Sequence, residues 1–260
     1  SGDQHMSNDL LSEVRDGVLH LTINRPERRN AVNADVIRGL TEGIQSANSE
    51  KTVRAIVITG TGEAAFCAGA DLQQGSSFQF DFSEPRLAFA NLLRAGRASQ
   101  IPLIARVNGA CMAGGMGLMA MCDLAVATPT ARFGLPEVKV GVFPAQVLAV
   151  LQPLLPPRVL NAMCLTGMPI DAQQALALGL INQIDADIDA ALAQLLEPLK
   201  AASGVAIRRG LYTLKHAQGM EFEQAMAFTE GQIGLLAQTE DAREGQAAFR
   251  EKRKPIWPGR

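Results

Sequence analysis

No Cys-x-x-Cys pair occurs among the four cysteines, Cys67, Cys111, Cys122 and Cys164, which stand singly in apolar or Gly/Ala contexts. A disulfide framework and a zinc site are therefore not expected, and reduced, mostly buried thiols point to a cytoplasmic protein. Histidine is scarcer still. His5, His20 and His216 lie far apart, and no Gly-x-Ser-x-Gly elbow accompanies them. That leaves no serine-hydrolase triad and no metal cluster. There is no excess of positive charge either: the formal net charge is −2, which implies no broad basic surface and argues against nucleic acid as a main partner. Nor does any run approach the ~18 uninterrupted apolar residues that a membrane span needs. The first residues lack the basic and apolar regions of a signal peptide; Ser1 to His5 read as an expression remnant ahead of Met6. No repeat of fixed period and no low-complexity tract is present.

What the chain does have is apolar residues, 47% of the total against 19% charged, enough for one large core or a domain with an appendage. The most informative stretch is Ile101 to Asp123. Leu103 to Val107 reads as a buried strand broken by Asn108-Gly109, and Gly114, Gly115 and Gly117 open a run of Leu, Met, Ala and Cys that reads as a buried helix. The N–H groups of a helix's first turn lack intrahelical partners and favour negative charge. No Lys-Ser or Lys-Thr follows the glycines and Gly-x-Gly-x-x-Gly is absent, so neither a phosphate loop nor a dinucleotide fingerprint is present. Two readings remain: a site for one oxygen that gains charge during a reaction, or glycines that only let a helix pack tightly on a sheet.

In chain order, Val14 to Asn24 reads as a hairpin around Asp16-Gly17. A basic turn follows at residues 25–30, and Asn33 is placed to cap a helix running to about Ala47. Ala55 to Thr59 reads as a buried strand, and Phe66 to Leu72 as a small-residue elbow. Gly75 to Pro85 is polar and aromatic, the composition of a flap over a site. Leu87 to Ala98 reads as a helix, and Leu124 to Ala127 and Ala131 to Phe133 as strands, with Pro136-Glu137 just beyond. From Ala145 onward strand signals are sparse, and helices are expected at Leu160 to Leu165, Ala172 to Leu178, Ala190 to Leu199, Gly204 to Ala217, Phe222 to Leu236 and Asp241 to Arg253. Strands alternating with helices favour a layered α/β architecture with the chemistry on loops after strands.

Three segments taken together, Phe66-Cys67-Ala68-Gly69-Ala70-Asp71-Leu72, the stretch with Asn108-Gly109 and Gly114-Gly115, and Phe133-Gly134-Leu135-Pro136-Glu137, resemble the crotonase (enoyl-CoA hydratase/isomerase) superfamily. The resemblance runs over nearly the whole chain. It implies an α/β fold: a spiral of ββα turns with two roughly perpendicular sheets over residues 7–195, then a helical region over residues 196–260 that builds a homotrimer or a dimer of trimers. It also implies an acyl-CoA thioester substrate, with no cofactor beyond the coenzyme A that the substrate carries. Carried over by position, the backbone N–H groups of Ala70 and Gly114 correspond to the oxyanion hole, and Glu137 to the catalytic acid/base. Arg28 or Arg29 corresponds to a basic residue near the coenzyme A phosphates. Ala68, Asp71 and Leu72 belong to the stretch whose backbone lines adenine and pantetheine, and Phe249 and Lys252 to contacts from a neighbouring helix or subunit.

Hydratases of this family usually carry a second glutamate, and counting back from Met121-Cys122-Asp123 puts that position at Gly117. One carboxylate suffices for two reactions. An isomerase would carry a proton between Cα and Cγ of an enoyl thioester, whereas a syn hydration would take a proton from water and return it to Cα. Gly117 to Asp123 and Val138 to Ala145 further resemble the bacterial hydratases of 3-substituted glutaconyl-CoA in leucine or acyclic-terpene catabolism. Glycine at 117 is expected to leave room for a second substituent on Cβ. A non-catalytic acyl-CoA-binding subunit is the reading of another class.

Overall fold

The computed structural model describes residues 8–71, Ser83 and residues 86–260. Leu72 and most of the segment expected to form a flap lie outside the described residues.

Strands β1 (Leu10–Arg15) and β2 (Val18–Ile23) form the expected antiparallel hairpin, turned at Asp16 and Gly17, both with positive φ. Asn33 caps α1 (Ala34–Ser49), its side chain accepting from the Val36 N–H at 2.9 Å. The chain then alternates between two sheets. β3 (Ala55–Gly60) leads to β4 (Ala65–Cys67) and α2 (Ala88–Ala98). β5 (Leu103–Val107) leads to β6 (Ala110–Met112) and α3 (Gly114–Ala120), and β7 (Leu124–Ala127) to β8 (Arg132–Gly134). Members of the first kind join the hairpin in a six-stranded sheet ordered β1-β2-β3-β5-β7-β10. Members of the second kind form a four-stranded sheet ordered β4-β6-β8-β9. The closing strands β9 (Ile170–Asp171) and β10 (Gln183–Ile184) have two residues each, too short to leave a period in the sequence.

β3 is buried on both faces. Ile56 and Ile58 join the main core with α1, α2 and the second sheet, while Ala55 and Val57 pack on the other side with Ile188, Ala191 and Leu192. Parallel strands covered on both faces read as continuous apolar runs for this reason.

The remaining helices are α4 (Leu148–Leu151), α5 (Pro157–Thr166), α6 (Ala172–Ala177), α7 (Ile188–Ala201), α8 (Gly204–Ala217), α9 (Phe222–Ala237) and α10 (Glu240–Arg250). α7 runs straight through position 195, so the break expected between core and helical region falls inside a helix. The Arg54 guanidinium reaches the carbonyls of Leu199 and Ala202 where α7 ends. Lys215 on α8 lies 3.5 Å from the Asp123 carboxylate, tying the helical region to the end of α3. α10 stops three residues before the expected Arg253. Lys252 takes φ +55° and the Arg253 N–H returns to the Ala248 carbonyl. This is a left-handed helix stop without the glycine that usually announces one.

Candidate active site

The second sheet brings the three candidate groups together. β4, β6 and β8 are adjacent and parallel, with Cys67 opposite Cys111 and Cys111 opposite Phe133. Ala70 lies three residues beyond Cys67, Gly114 three beyond Cys111 and Glu137 four beyond Phe133. All three therefore leave the same edge of one sheet, the C-terminal ends where parallel α/β sheets receive ligands.

The amides are oriented by their neighbours. Val32 pairs with Ala70 as a parallel bridge: the Val32 N–H donates to the Gly69 carbonyl at 2.7 Å, and the Asp71 N–H to the Val32 carbonyl at 2.9 Å. In such a bridge the Ala70 N–H points away from Val32. Gly114 opens α3, so its N–H has no intrahelical partner. The residue before it, Ala113, has φ +53° and ψ −121°, a conformation that a residue with a side chain keeps only when its surroundings impose it. Here its N–H donates to the Gly134 carbonyl at 2.9 Å, which continues the β6-β8 ladder up to the helix. Gly69, at φ +108°, backs onto this turn, and a Cβ on it would sit 2.8 Å from that of Ala113. Gly115 seats α3 on β4, since a Cβ there would lie 2.3 Å from the Cys67 carbonyl oxygen.

Glu137 sits in a single 3-10 turn, Pro136–Val140, against α5. Its side chain is half-buried, and Oε1 is buried with no hydrogen-bond partner among the described residues. Burial lifts its carboxyl above the ordinary glutamate range. A carboxylate poorly solvated and with one oxygen unpaired exchanges protons closer to neutrality than a surface one. Two amides that can hold an oxygen and one acid that can move a proton are the parts needed to polarise a thioester and protonate or deprotonate the carbon beside it.

Comparison with known proteins gives the family. The family model described as enoyl-CoA hydratase/isomerase matches residues 13–260. The chain belongs to that family. The 2,3-dehydroadipyl-CoA hydratase of Escherichia coli K12 is 34% identical to it, over 97% of this chain and 99% of the relative. The carnitinyl-CoA dehydratase of Citrobacter koseri is also 34% identical, over 98% and 100%. The crystal structure of an enoyl-CoA hydratase from Mycobacterium tuberculosis H37Rv superposes with a TM-score of 0.88 at 32% identity, covering 98% of this chain and 100% of that one. The chain is an enzyme of the enoyl-CoA hydratase type with the crotonase fold.

In this hydratase/isomerase the space at Gly117 is already filled. A Cβ there would lie 2.7 Å from Val147 Cγ1 and 3.4 Å from Phe89 Cζ. The expectation that glycine leaves room for a substituent is corrected accordingly: Val147, buried just before α4, occupies that room, and Phe89 also spans Gly114. Gly117→Ala is expected to destabilise the fold by ~1–3 kcal/mol through overpacking. Adding Val147→Ala should recover most of it, and additive losses in a double-mutant cycle would refute the contact.

The other candidates divide by position. Arg28 and Arg29 are exposed, and the Arg29 carbonyl accepts from the Ala68 N–H at 3.0 Å, so the basic turn does adjoin the 68–71 loop. Ala68 is half-buried in that loop, whereas the Asp71 carboxylate turns inward and is bound by Arg25. Phe249, 86% exposed, and Lys252 stand on the surface at the end of α10. Sequence reasoning missed Phe89, Val147, Arg25, Asn30 and the linking role of Asn108. Asn30 and Asn108 are buried, and both donate to the Ala65 carbonyl. The two asparagines fix the start of β4 from residues 35 and 43 positions away, a pairing that no local pattern encodes.

Proposed function

We propose that this enzyme adds water across the 2,3 double bond of an enoyl-CoA thioester with a single acid/base. The convergence of Ala70, Gly114 and Glu137 on the ends of three adjacent parallel strands carries the reading. As water oxygen attacks Cβ, Glu137 takes its proton, and the π electrons move through Cα onto the thioester oxygen held by the two amides. Glu137 then returns the proton to Cα on the same face, and the carbonyl re-forms. Every atom comes from water and substrate, so the step calls for no cofactor.

The substrate we favour is branched at Cβ, of the 3-substituted glutaconyl type found in leucine or acyclic-terpene catabolism. The resemblance of residues 117–123 and 138–145 to hydratases of such substrates supports this; the substituent would have to sit beside Val147 and Phe89, which already fill the space at Gly117. Coenzyme A would lie along Ala68 to Leu72 with its phosphates towards Arg28 or Arg29, and Phe249 and Lys252 would reach it from a neighbouring copy. α8 and α9 bury no residue in the single chain, and Leu214, Phe222 and Ile233 are largely exposed. Uncovered apolar faces of this kind fit a homotrimer or a dimer of trimers. The four cysteines are free, which fits the cytoplasmic location we favour, and burial pushes the Cys67 thiol up to about 12. Among the described residues no helix is long and apolar enough to cross a membrane.

Isomerisation of a 3-enoyl to a 2-enoyl thioester is the second reading, favoured by the absence of a carboxylate at Gly117. Turnover of branched and straight 2-enoyl-CoA thioesters in H₂¹⁸O distinguishes the two. Hydration incorporates one ¹⁸O at Cβ and is expected to be fastest with the branched esters. Double-bond migration without oxygen uptake would replace hydration by isomerisation. Preference for straight chains would remove the branched substrate, and binding without turnover across the panel would leave a non-catalytic acyl-CoA-binding subunit.

A further inference from the structure

We infer that the buried ion pair between Arg25 and Asp71 is a positioning device for the oxyanion amide of Ala70, resting on the reading of Ala70 given above. Both residues are 6% exposed, and Arg25 Nη2 lies 2.8 Å from Asp71 Oδ2. Asp71 directly follows Ala70, so its side chain fixes one end of the peptide plane next to the donor. Arg25 is itself held from several directions. Its Nη1 donates to the Ala31 carbonyl at 2.6 Å, and its backbone N–H to Asn30 Oδ1 at 3.0 Å. Its carbonyl accepts from the N–H groups of Arg28 and Asn30, and Asp9 stands 3.8 Å from Nε.

The pair thus ties a closed turn, residues 25–31, to the loop that carries the donor. Backbone bonds from Val32 on both sides of Ala70 set which way its N–H points; the ion pair sets how far out the loop stands. A buried charged pair is a costly way to gain stability, since apolar residues of similar volume often do as well or better. What it adds is direction, because a guanidinium presents its donors in a fixed planar fork. Displacing a reacting group by about 1 Å can cost about 10²-fold in rate.

The test uses the full-length enzyme in five forms besides wild type: Arg25→Lys, Arg25→Met, Asp71→Asn, Asp71→Leu and the Arg25→Met/Asp71→Leu double variant. Butyryl-CoA labelled with ¹³C at the carbonyl is saturated, so it binds without reacting, and isotope-edited infrared difference spectra read the polarisation of its thioester C=O. Wild type is expected to shift that stretch to lower frequency. The single variants should lose much of the shift and about 10²-fold in kcat on the enoyl-CoA that wild type turns over fastest, a loss larger than any rise in the Kd for butyryl-CoA. The double variant should regain thermal stability yet remain deficient in both shift and kcat, and it carries the test if the single variants do not fold. Full shift and full kcat in any folded variant lacking the pair would overturn the inference while leaving the oxyanion hole intact. Absence of a shift in wild type would instead refute the role of Ala70 itself, and the inference with it.

Discussion

Glu137→Gln is expected to lower kcat by about 10²–10⁴ while raising the thermal stability of the protein at neutral pH. Both effects follow from one feature, a half-buried carboxyl whose Oε1 has no partner among the described residues. Burial raises its pKa in the folded state, so between the ordinary glutamate pKa, about 4.3, and the raised one the native state holds more protons than the unfolded state. Stability therefore falls as pH rises through that window. Glutamine removes the charge, so its advantage is full above the raised pKa and disappears below the ordinary one. The acid limb of the wild-type kcat/KM profile should lie above the range of an exposed glutamate, because the ionised form must take the proton from water. Kinetics and thermal melts from pH 4 to 9 check all three points. Unchanged turnover in Glu137→Gln, or an acid limb at the ordinary glutamate value, would remove Glu137 from the role given to it.

Legibility of this fold in the sequence follows the range of the interactions involved. The hairpin, α1 with its Asn33 cap, the buried strands β3, β5 and β7, and the long C-terminal helices declare themselves within a few residues, because period and capping are local. β4 and β6, three residues each, are too short to carry a period, and the reading absorbed them into glycine elbows. They are strands because Asn30 and Asn108 hold the start of β4 and because β8 supplies the next partner.

The site shows the same division. Glu137 and the glycines stood out as motifs. The strained residue of the helix turn, however, is Ala113 and not one of the glycines around it, since its backbone is set by Gly134 and Gly69 from other parts of the chain. Arg25 reads in the sequence only as part of a basic turn; its partner lies 46 residues on, beyond the reach of any pattern. The space at Gly117 looked open for the same reason, since what fills it comes from residues 89 and 147.

Gly69→Ala should damage the site through backbone strain and steric overlap at once. Gly69 has φ +108°, where a side chain is strained, and its new Cβ would stand 2.8 Å from that of Ala113 and 3.3 Å from the Gly114 nitrogen. The methyl cannot move without pushing apart the two turns whose amides must converge. Loss of one oxyanion donor costs about 10²–10³ in kcat, and overpacking adds ~1–3 kcal/mol of destabilisation. A comparison with Gly179→Ala separates these effects. Gly179 also has positive φ, +77°, but nothing lies within 4 Å of its would-be Cβ, and it follows α6, outside the loops that carry Ala70, Gly114 and Glu137. Backbone strain alone should therefore lower the melting temperature of Gly179→Ala and leave kcat unchanged, whereas Gly69→Ala should lose both, with the KM for the thioester moving much less than kcat. If Gly69→Ala were merely less stable and kept wild-type kcat below its melting point, the two amides would not be acting as a pair on the thioester oxygen.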